Sequence, residues 1–284
     1  MKVLVLGAGG MAGHVVATHF REQDYDVETI SSTKPVFGDT TLLDVTNQDA
    51  FSEYLEGRDY SAIVNCIGIL VKQSEEQKDL STYLNSYLPH MLEARYRNTA
   101  TKIIHLSTDC VFSGKNAPYT EDAPYDGELF YDRTKALGEI KNDKDLTLRM
   151  SIIGPDLSPS GTGLFNWFMS QSGNINGYSK SIWNGITTIE LAKAIEEAIA
   201  QDVTGLYHLV PSGNISKFEL LKLFKEVFGH DDITINPVDG TIADKTLVNT
   251  RSDFNMTIPS YPVMVQQMKE WVDKHKGMYS HYEK

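Results

Sequence analysis

Long apolar runs are missing from this sequence, and none approaches the roughly 18 consecutive apolar residues that a membrane helix needs. The apolar start Met1–Leu6 runs straight into glycines, so it lacks the core and cleavage site of a secretory leader. Basic excess is missing as well. Lys and Arg number 26 against 38 Asp and Glu, a formal net charge of -12, which argues against the basic face that nucleic-acid binding needs. Small anions are not excluded, because a few local cations and a helix N-terminus suffice to hold a phosphate. Cysteine is scarce. Cys66 and Cys110, the only two, lie in apolar runs and read as buried thiols rather than a disulfide, which fits a reducing compartment. With 10 prolines, no low-complexity tract and no internal repeat, the chain is neither disordered nor fibrous. The expectation is a cytoplasmic enzyme or binding protein with no membrane or nucleic-acid partner and no metal, compatible with a homo-oligomer.

What is present is an alternation. Lys2–Leu6, Val27–Ile30, Leu42–Val45, Ala62–Ile67, Lys102–Ser107 and Thr147–Ser151 read as strands. Met11–Gln23, Asn47–Leu55 (capped by Asn47 or Thr46), about Leu80 to Tyr96, and a stretch from near Phe130 read as helices between them. Runs such as Val3–Leu6, Ala62–Ile67 and Ile103–Leu106 read as apolar runs rather than alternating ones, as parallel strands covered on both faces should. The fold class is therefore α/β, a doubly wound Rossmann-type parallel sheet. After Gly154 the pattern changes. A Pro/Gly/Ser loop at Asp156–Gly163 precedes helices at Leu164–Gln171, Glu190–Ala200, Lys217–Phe228 and Val263–His275, and strands at Leu206–Val210 and Ile233–Pro237. This divides the 284 residues into a coenzyme-binding domain, 1–155, and a smaller substrate-binding lobe, 156–284, partly interleaved with the first.

Three constellations carry chemistry. Gly7, Gly10 and Gly13, with Met11 and Ala12, sit between a buried strand and an amphipathic helix. Glycines there let the backbone approach a pyrophosphate, whose charge the helix N-terminus then holds. The second strand ends in Ser31, Ser32, Thr33 and Lys34 rather than in an acid, and Glu28 comes too early. That favours the 2′-phosphate of NADP(H), NADH being accepted if Lys34 is merely a solvated lysine. Asp44 and Val45 stand where a strand end meets the adenine, unless Asp44 is a helix cap. Asn65, Cys66, Ile67 and Gly68 follow the fourth strand at the carboxyl edge, although Gly68 also suits a plain loop. Finally, Thr108 follows the fifth strand, and Tyr131 and Lys135 are four apart, so they share a helix face. A phenol titrating near ~10 serves as an acid–base group when a neighbouring ammonium tunes it. A surface pair is the alternative, weakened by the company of the glycine turn and Ser107-Thr108.

The block STDCVFSGKNAPYTEDAPYDGELFYDRTKALGE, residues 107–139, resembles the signature of extended short-chain dehydrogenase/reductases that act on nucleotide sugars. It is similar to the dTDP-4-dehydrorhamnose reductase branch, with its STD-x-VF-x-G and Y-x-x-(S/T)-K-x-x-GE segments, and the likeness spans residues 1–155. The resemblance implies reduction of a 4-keto-6-deoxy sugar linked to a nucleoside diphosphate. It makes Thr108, Tyr131 and Lys135 the catalytic triad, sets Asp109, Val111 and Phe112 along the sugar pocket, and gives Asn85 a supporting place at the site. Where the branch continues T-S-W-V-(Y/F)-G, this chain has Met150-Ser151-Ile152-Ile153-Gly154. The stretch 178–187 departs too. The sequence is thus similar to reductases that make N-acetylated 6-deoxy-L-sugars from UDP-linked 4-ketohexoses for surface polysaccharides, with a dTDP-linked rhamnose precursor as the other candidate. Ile152, Lys180, Trp183 and Arg251 are candidates for holding sugar, base or phosphate. Solvated charges and a core tryptophan are the plainer reading of the last three. An epimerase or dehydratase on the same fold, and a coenzyme-binding regulatory subunit without turnover, are alternatives. The first is disfavoured because Asp109 is not followed by Glu, and the second because the triad is intact.

Overall fold

Apolar runs separated by glycine-marked turns fold here into a single parallel sheet, in a computed structural model that describes residues 1–240 and 242–283. Its strands are β1 (Lys2–Leu6), β2 (Asp26–Ser31), β3 (Thr41–Leu42), β4 (Ala62–Asn65), β5 (Lys102–Thr108), β6 (Leu146–Met150) and β7 (Gly205–His208). The order is β3-β2-β1-β4-β5-β6-β7, with every neighbouring pair parallel. The strand order reverses between β1 and β4. At such a switch point the flanking connections leave to opposite faces and open a crevice at the carboxyl edge.

Alternation along each strand divides the core. Val3 and Val5 face one apolar layer with Val15, Val16 and Phe20 of the helix Gly13–Glu22. Leu4 and Leu6 face the other, with Phe51, Leu88 and Leu92. Both layers are fully buried, each large side chain contributing roughly 1.5–3 kcal/mol. The helix Gln48–Leu55 starts at Asn47, whose side chain accepts from the Ala50 N–H, one of the two caps expected. The expected helix from Leu80 is interrupted. Lys78–Ser81 is α-helical, Thr82–Tyr87 is a π-helical turn, and Leu88–Tyr96 is α-helical again.

Beyond residue 155 the chain does two things. It returns to the central sheet as β7 and packs the helix Thr188–Ala200 on Gly13–Glu22. It also forms three small sheets that sequence patterning did not foresee, apart from the strand Ile233–Val238. Ile152–Ile153 pairs with Ile186–Thr187, and Gly173–Tyr178 with Ile233–Val238. Ser181–Trp183 is flanked by Ile215–Ser216 and Ala243–Asp244. None of the described helices is long and apolar enough to cross a membrane.

Candidate active site

The carboxyl ends of β1, β4, β5 and β6 open on one cleft. A cavity of about 450 Å³ is lined by Gly10, Met11 and Ala12 of the first turn, by Cys66–Leu70 after β4, by Leu106–Cys110 of β5, by Tyr131 and Lys135, and by Met150–Ile152. A second cavity of about 230 Å³ shares Gly10, Cys66, Ile67, Gly68 and Ile69 with it. It extends over the end of β2, where Ser31, Ser32, Asp44 and Val45 form its wall. The cleft is therefore continuous from the glycine turn to the proposed triad.

The turn fits a pyrophosphate. Gly7 has φ +77, closed to most side chains, and a Cβ on Gly13 would lie 2.2 Å from the Gly7 carbonyl oxygen. No side chain caps the helix Gly13–Glu22 and no acid occupies its first turn, so its N-terminal dipole is free for an anion. His14 braces this turn from beneath. Its Nδ1 is 2.8 Å from the Gly10 carbonyl and its Nε2 2.8 Å from the Tyr279 hydroxyl. Burial holds it down to about 4, so it is neutral at physiological pH.

The end of β2 carries no free acid. Glu28 lies off the cleft and bonds Lys2, Tyr54, Tyr60 and Arg58. Although partial burial pushes its carboxyl up, the bonds from Lys2, Tyr60 and Tyr54 bring it to about 2. Ser31 and Ser32 line the cavity as expected, whereas Lys34 is exposed in the following loop and does not. Asp44 also lines it, its Oδ1 accepting from the backbone and hydroxyl of Thr46, so it closes a turn instead of capping the helix.

At the catalytic end, Thr108 Oγ1 accepts from the Cys110 N–H at 3.1 Å and donates to Asp109 Oδ1 at 3.2 Å. Burial raises the Tyr131 phenol above its ordinary value, reinforced by Cys110 and opposed by a bond with Thr108. Asp109 is raised by burial too, partly offset by the ammonium groups of Lys245 and Lys217. Lys135 donates to the Leu106 carbonyl at 2.6 Å, and burial lowers it to about 8. One cavity thus gathers a protonated phenol, a hydroxyl and a buried amine.

Several expected site residues lie elsewhere. Val111 and Phe112 are fully buried with Tyr119 and Leu247, Phe112 stacking on Tyr119 at 4.1 Å, so they support the site without lining the cleft. Lys180 is on the surface, paired with Asp239 at 2.6 Å. Arg251 is committed to Asp253 and to the Thr204 and Leu206 carbonyls. Trp183 is a core residue, but its Nε1 donates to Ser151 Oγ at 2.8 Å and thereby orients a cleft residue. The expectation that these five residues line a substrate pocket is corrected on those contacts. Asn65 and Asn85 are buried behind the cleft. Asn85, in the π turn, bonds both the N–H and carbonyl of Ile69, as well as Ser81 and Thr134, tying the loop after β4 to the helix Phe130–Leu137. Neither lines either of the two cavities.

Other residues had gone unseen. Asp156, Thr162 and Gly163 line the cleft from the Pro/Gly/Ser loop, whose composition was the available signal. Glu139 holds Arg149 in a two-bond pair at 2.9 and 2.7 Å and accepts from Ser107 at 2.6 Å, all buried. Arg149 reaches His208 of β7 at 2.6 Å. Nothing local in the sequence announces that network.

Comparison with known proteins fits this geometry. Residues 1–251 match the protein family described as RmlD substrate binding domain. The chain belongs to this family. Among curated relatives, the spore coat polysaccharide biosynthesis protein SpsK of Bacillus subtilis is 26% identical over 255 residues, covering 86% of each chain. The dTDP-4-dehydrorhamnose reductase of Mycolicibacterium smegmatis is 22% identical over 245 residues, 83% of this chain and 72% of that one. Among solved structures, the dTDP-4-dehydrorhamnose reductase of Bacillus anthracis in complex with NADP superposes with a TM-score of 0.79 at 20% identity, over 94% of this chain and 98% of that one. That likeness establishes the fold, the Rossmann-type α/β architecture that the sequence pattern implies.

Proposed function

We propose that the protein is an NADP(H)-dependent reductase of a nucleoside-diphosphate-linked 4-keto-6-deoxy sugar. The observation that carries the reading is the convergence of Thr108, Tyr131 and Lys135 on a cavity continuous with the glycine turn. When bound there, a reduced nicotinamide supplies hydride to the keto carbon. Tyr131 donates its proton to the keto oxygen, a role that suits a phenol held protonated by burial. Thr108 turns its hydroxyl hydrogen from Asp109 to the same oxygen, and Lys135 keeps the polar end of the cleft tuned. Gly7–Gly13 hold the pyrophosphate of the coenzyme. Ser31 and Ser32, with no free acid at the end of β2, favour the 2′-phosphate. Lys217 and Lys245, half-buried and acting on Asp109, are suited to the diphosphate of the substrate. Coverage of the relatives' lengths and their reductase and polysaccharide names support the same reading.

Within that class, the sugar we propose is UDP-linked, N-acetylated and 6-deoxy, with the dTDP-linked rhamnose precursor second. Its support is the aliphatic Ile152 on the cleft wall, where the rhamnose branch carries an aromatic ring. NADPH oxidation over UDP- and dTDP-linked 4-ketosugars, generated in situ by dehydratases, tests both levels. The UDP-linked 2-acetamido 4-keto-6-deoxy sugar is expected to give the higher kcat/KM. A higher value for the dTDP-linked compound overturns the sugar assignment. Tight NADPH binding with no oxidation by any ketosugar overturns the enzyme and favours a regulatory subunit.

A further inference from the structure

Two buried tyrosines that the reaction outlined above does not use, Tyr279 and Tyr282, each reach a different wall of the cleft. Tyr279 lies beneath the glycine turn. His14 Nδ1 must donate to the Gly10 carbonyl, so neutral His14 has its lone pair at Nε2, and the Tyr279 hydroxyl donates there at 2.8 Å. Tyr282 reaches the loop 156–163, of which Asp156, Thr162 and Gly163 line the same cavity as Gly10, Met11 and Ala12. The loop stands close to the glycine turn, since a Cβ on Gly163 would lie 3.1 Å from Met11 Sδ. It is also folded tightly on itself: a Cβ on Gly161 would lie 2.3 Å from the Asp156 carboxyl.

We propose that Tyr282 is a positioning residue for the loop 156–163, holding that wall of the cleft against the glycine turn and thereby retaining the coenzyme. The bonds have a fixed sense. Asn166 Nδ2 donates to the Gly161 carbonyl at 2.7 Å and to the Pro159 carbonyl at 3.3 Å, so its Oδ1 faces Tyr282. The Tyr282 hydroxyl donates to that oxygen at 2.8 Å, and its lone pair accepts the Asp156 N–H at 2.8 Å. One phenol thus fixes the start of the loop directly and its middle through Asn166. The loop's other hydrogen bonds among the described residues stay within residues 156–167. Tyr282 is therefore its tie to a distant part of the chain. The hydroxyl is itself well placed, because the Tyr282 ring meets Phe165 edge-on at 5.3 Å and stacks on Tyr279 at 6.1 Å. A single C-terminal turn accordingly braces both walls, the glycine turn through Tyr279 and the facing loop through Tyr282. The inference rests on the reductase reading in taking NADP(H) as the occupant of the cleft.

The experiment compares the unmutated chain with Tyr282→Phe, which keeps the packed ring and removes only the hydroxyl. Amide hydrogen exchange on the free protein reads the loop, and stopped-flow displacement of bound NADPH reads retention; neither needs a sugar. The expected results are exchange at the Asp156 N–H and dissociation of NADPH that are each at least ~threefold faster, the scale of one hydrogen bond, at a nearly unchanged melting temperature. Unchanged NADPH dissociation in Tyr282→Phe overturns the proposal. A lower melting temperature with unchanged exchange at Asp156 overturns it as well, since the hydroxyl would then serve stability alone. If the unmutated protein binds no nicotinamide coenzyme, the reductase reading fails, while exchange at Asp156 still decides whether Tyr282 sets the loop.

Discussion

At the residue scale, the coenzyme preference comes down to which groups at the end of β2 remain free. Glu28 is saturated by four partners and points away from the cleft, while Ser32 lines it and is exposed. An acid introduced at Ser32 would repel a 2′-phosphate and accept from a 2′-hydroxyl. Ser32→Asp is therefore expected to weaken NADPH at least ~tenfold, about 1.4 kcal/mol, and to strengthen NADH. Fluorescence titration of both coenzymes reads the ratio, and an unchanged ratio contradicts the assignment of this wall. Lys34, outside the lining, is expected to matter less than Ser32. That Tyr131 and Lys135 reach one cleft was legible because four-residue spacing puts them on one helix face. Val111 and Phe112 were misplaced for the converse reason. They adjoin Asp109 in sequence, but the short 3-10 turn Asp109–Val111 carries the chain away from the cleft and into the Tyr119 cluster.

At the element scale, the cleft depends on how closely β1 and the helix Gly13–Glu22 approach. Gly13→Ala would set a methyl 2.2 Å from the Gly7 carbonyl oxygen and within 3.0 Å of the Ala8 Cα, backbone atoms that cannot swing aside. The expected result is a lower melting temperature and a coenzyme Kd raised at least ~tenfold, since the helix N-terminus must withdraw from the pyrophosphate. Wild-type affinity in Gly13→Ala would show that the turn does not hold the phosphates. Strands β1, β4 and β5 could be read from the chain, because strands buried on both faces carry largely apolar runs rather than a polar–apolar alternation. The small strands could not. Ile152–Ile153, Ser181–Trp183 and Ala243–Asp244 are two or three residues long, and partners distant in sequence fix them. The π turn at Thr82–Tyr87 was also unreadable, since its reason is the set of tertiary bonds that Asn85 makes.

At the scale of the whole molecule, the C-terminal segment is bound to the coenzyme turn through His14. Tyr279, fully buried, meets His14 Nε2 and accepts from Trp271 Nε1 at 2.9 Å, so the last helix and the glycine turn share one polar core. Burial lowers His14 from 6.5 to about 4. Between those values the unfolded chain binds a proton that the folded chain does not, so folding stability is complete above pH 6.5 and falls as pH drops toward 4. His208, lowered to about 4 by burial and by Arg149, adds to the same window. Denaturant unfolding across pH 4–7 is expected to show this loss, and His14→Gln to flatten it. A slope unaffected by His14→Gln would mean that other groups set the acid sensitivity.

The central claim, that Tyr131 is the proton donor of a ketosugar reductase, is tested most directly by single-turnover oxidation of bound NADPH in the unmutated protein and in Tyr131→Phe, with the best ketosugar found. Tyr131→Phe is expected to bind NADPH almost unchanged and to slow the oxidation by at least ~10², in protein whose melting transition shows it folded. Oxidation at most of the unmutated rate would contradict the account.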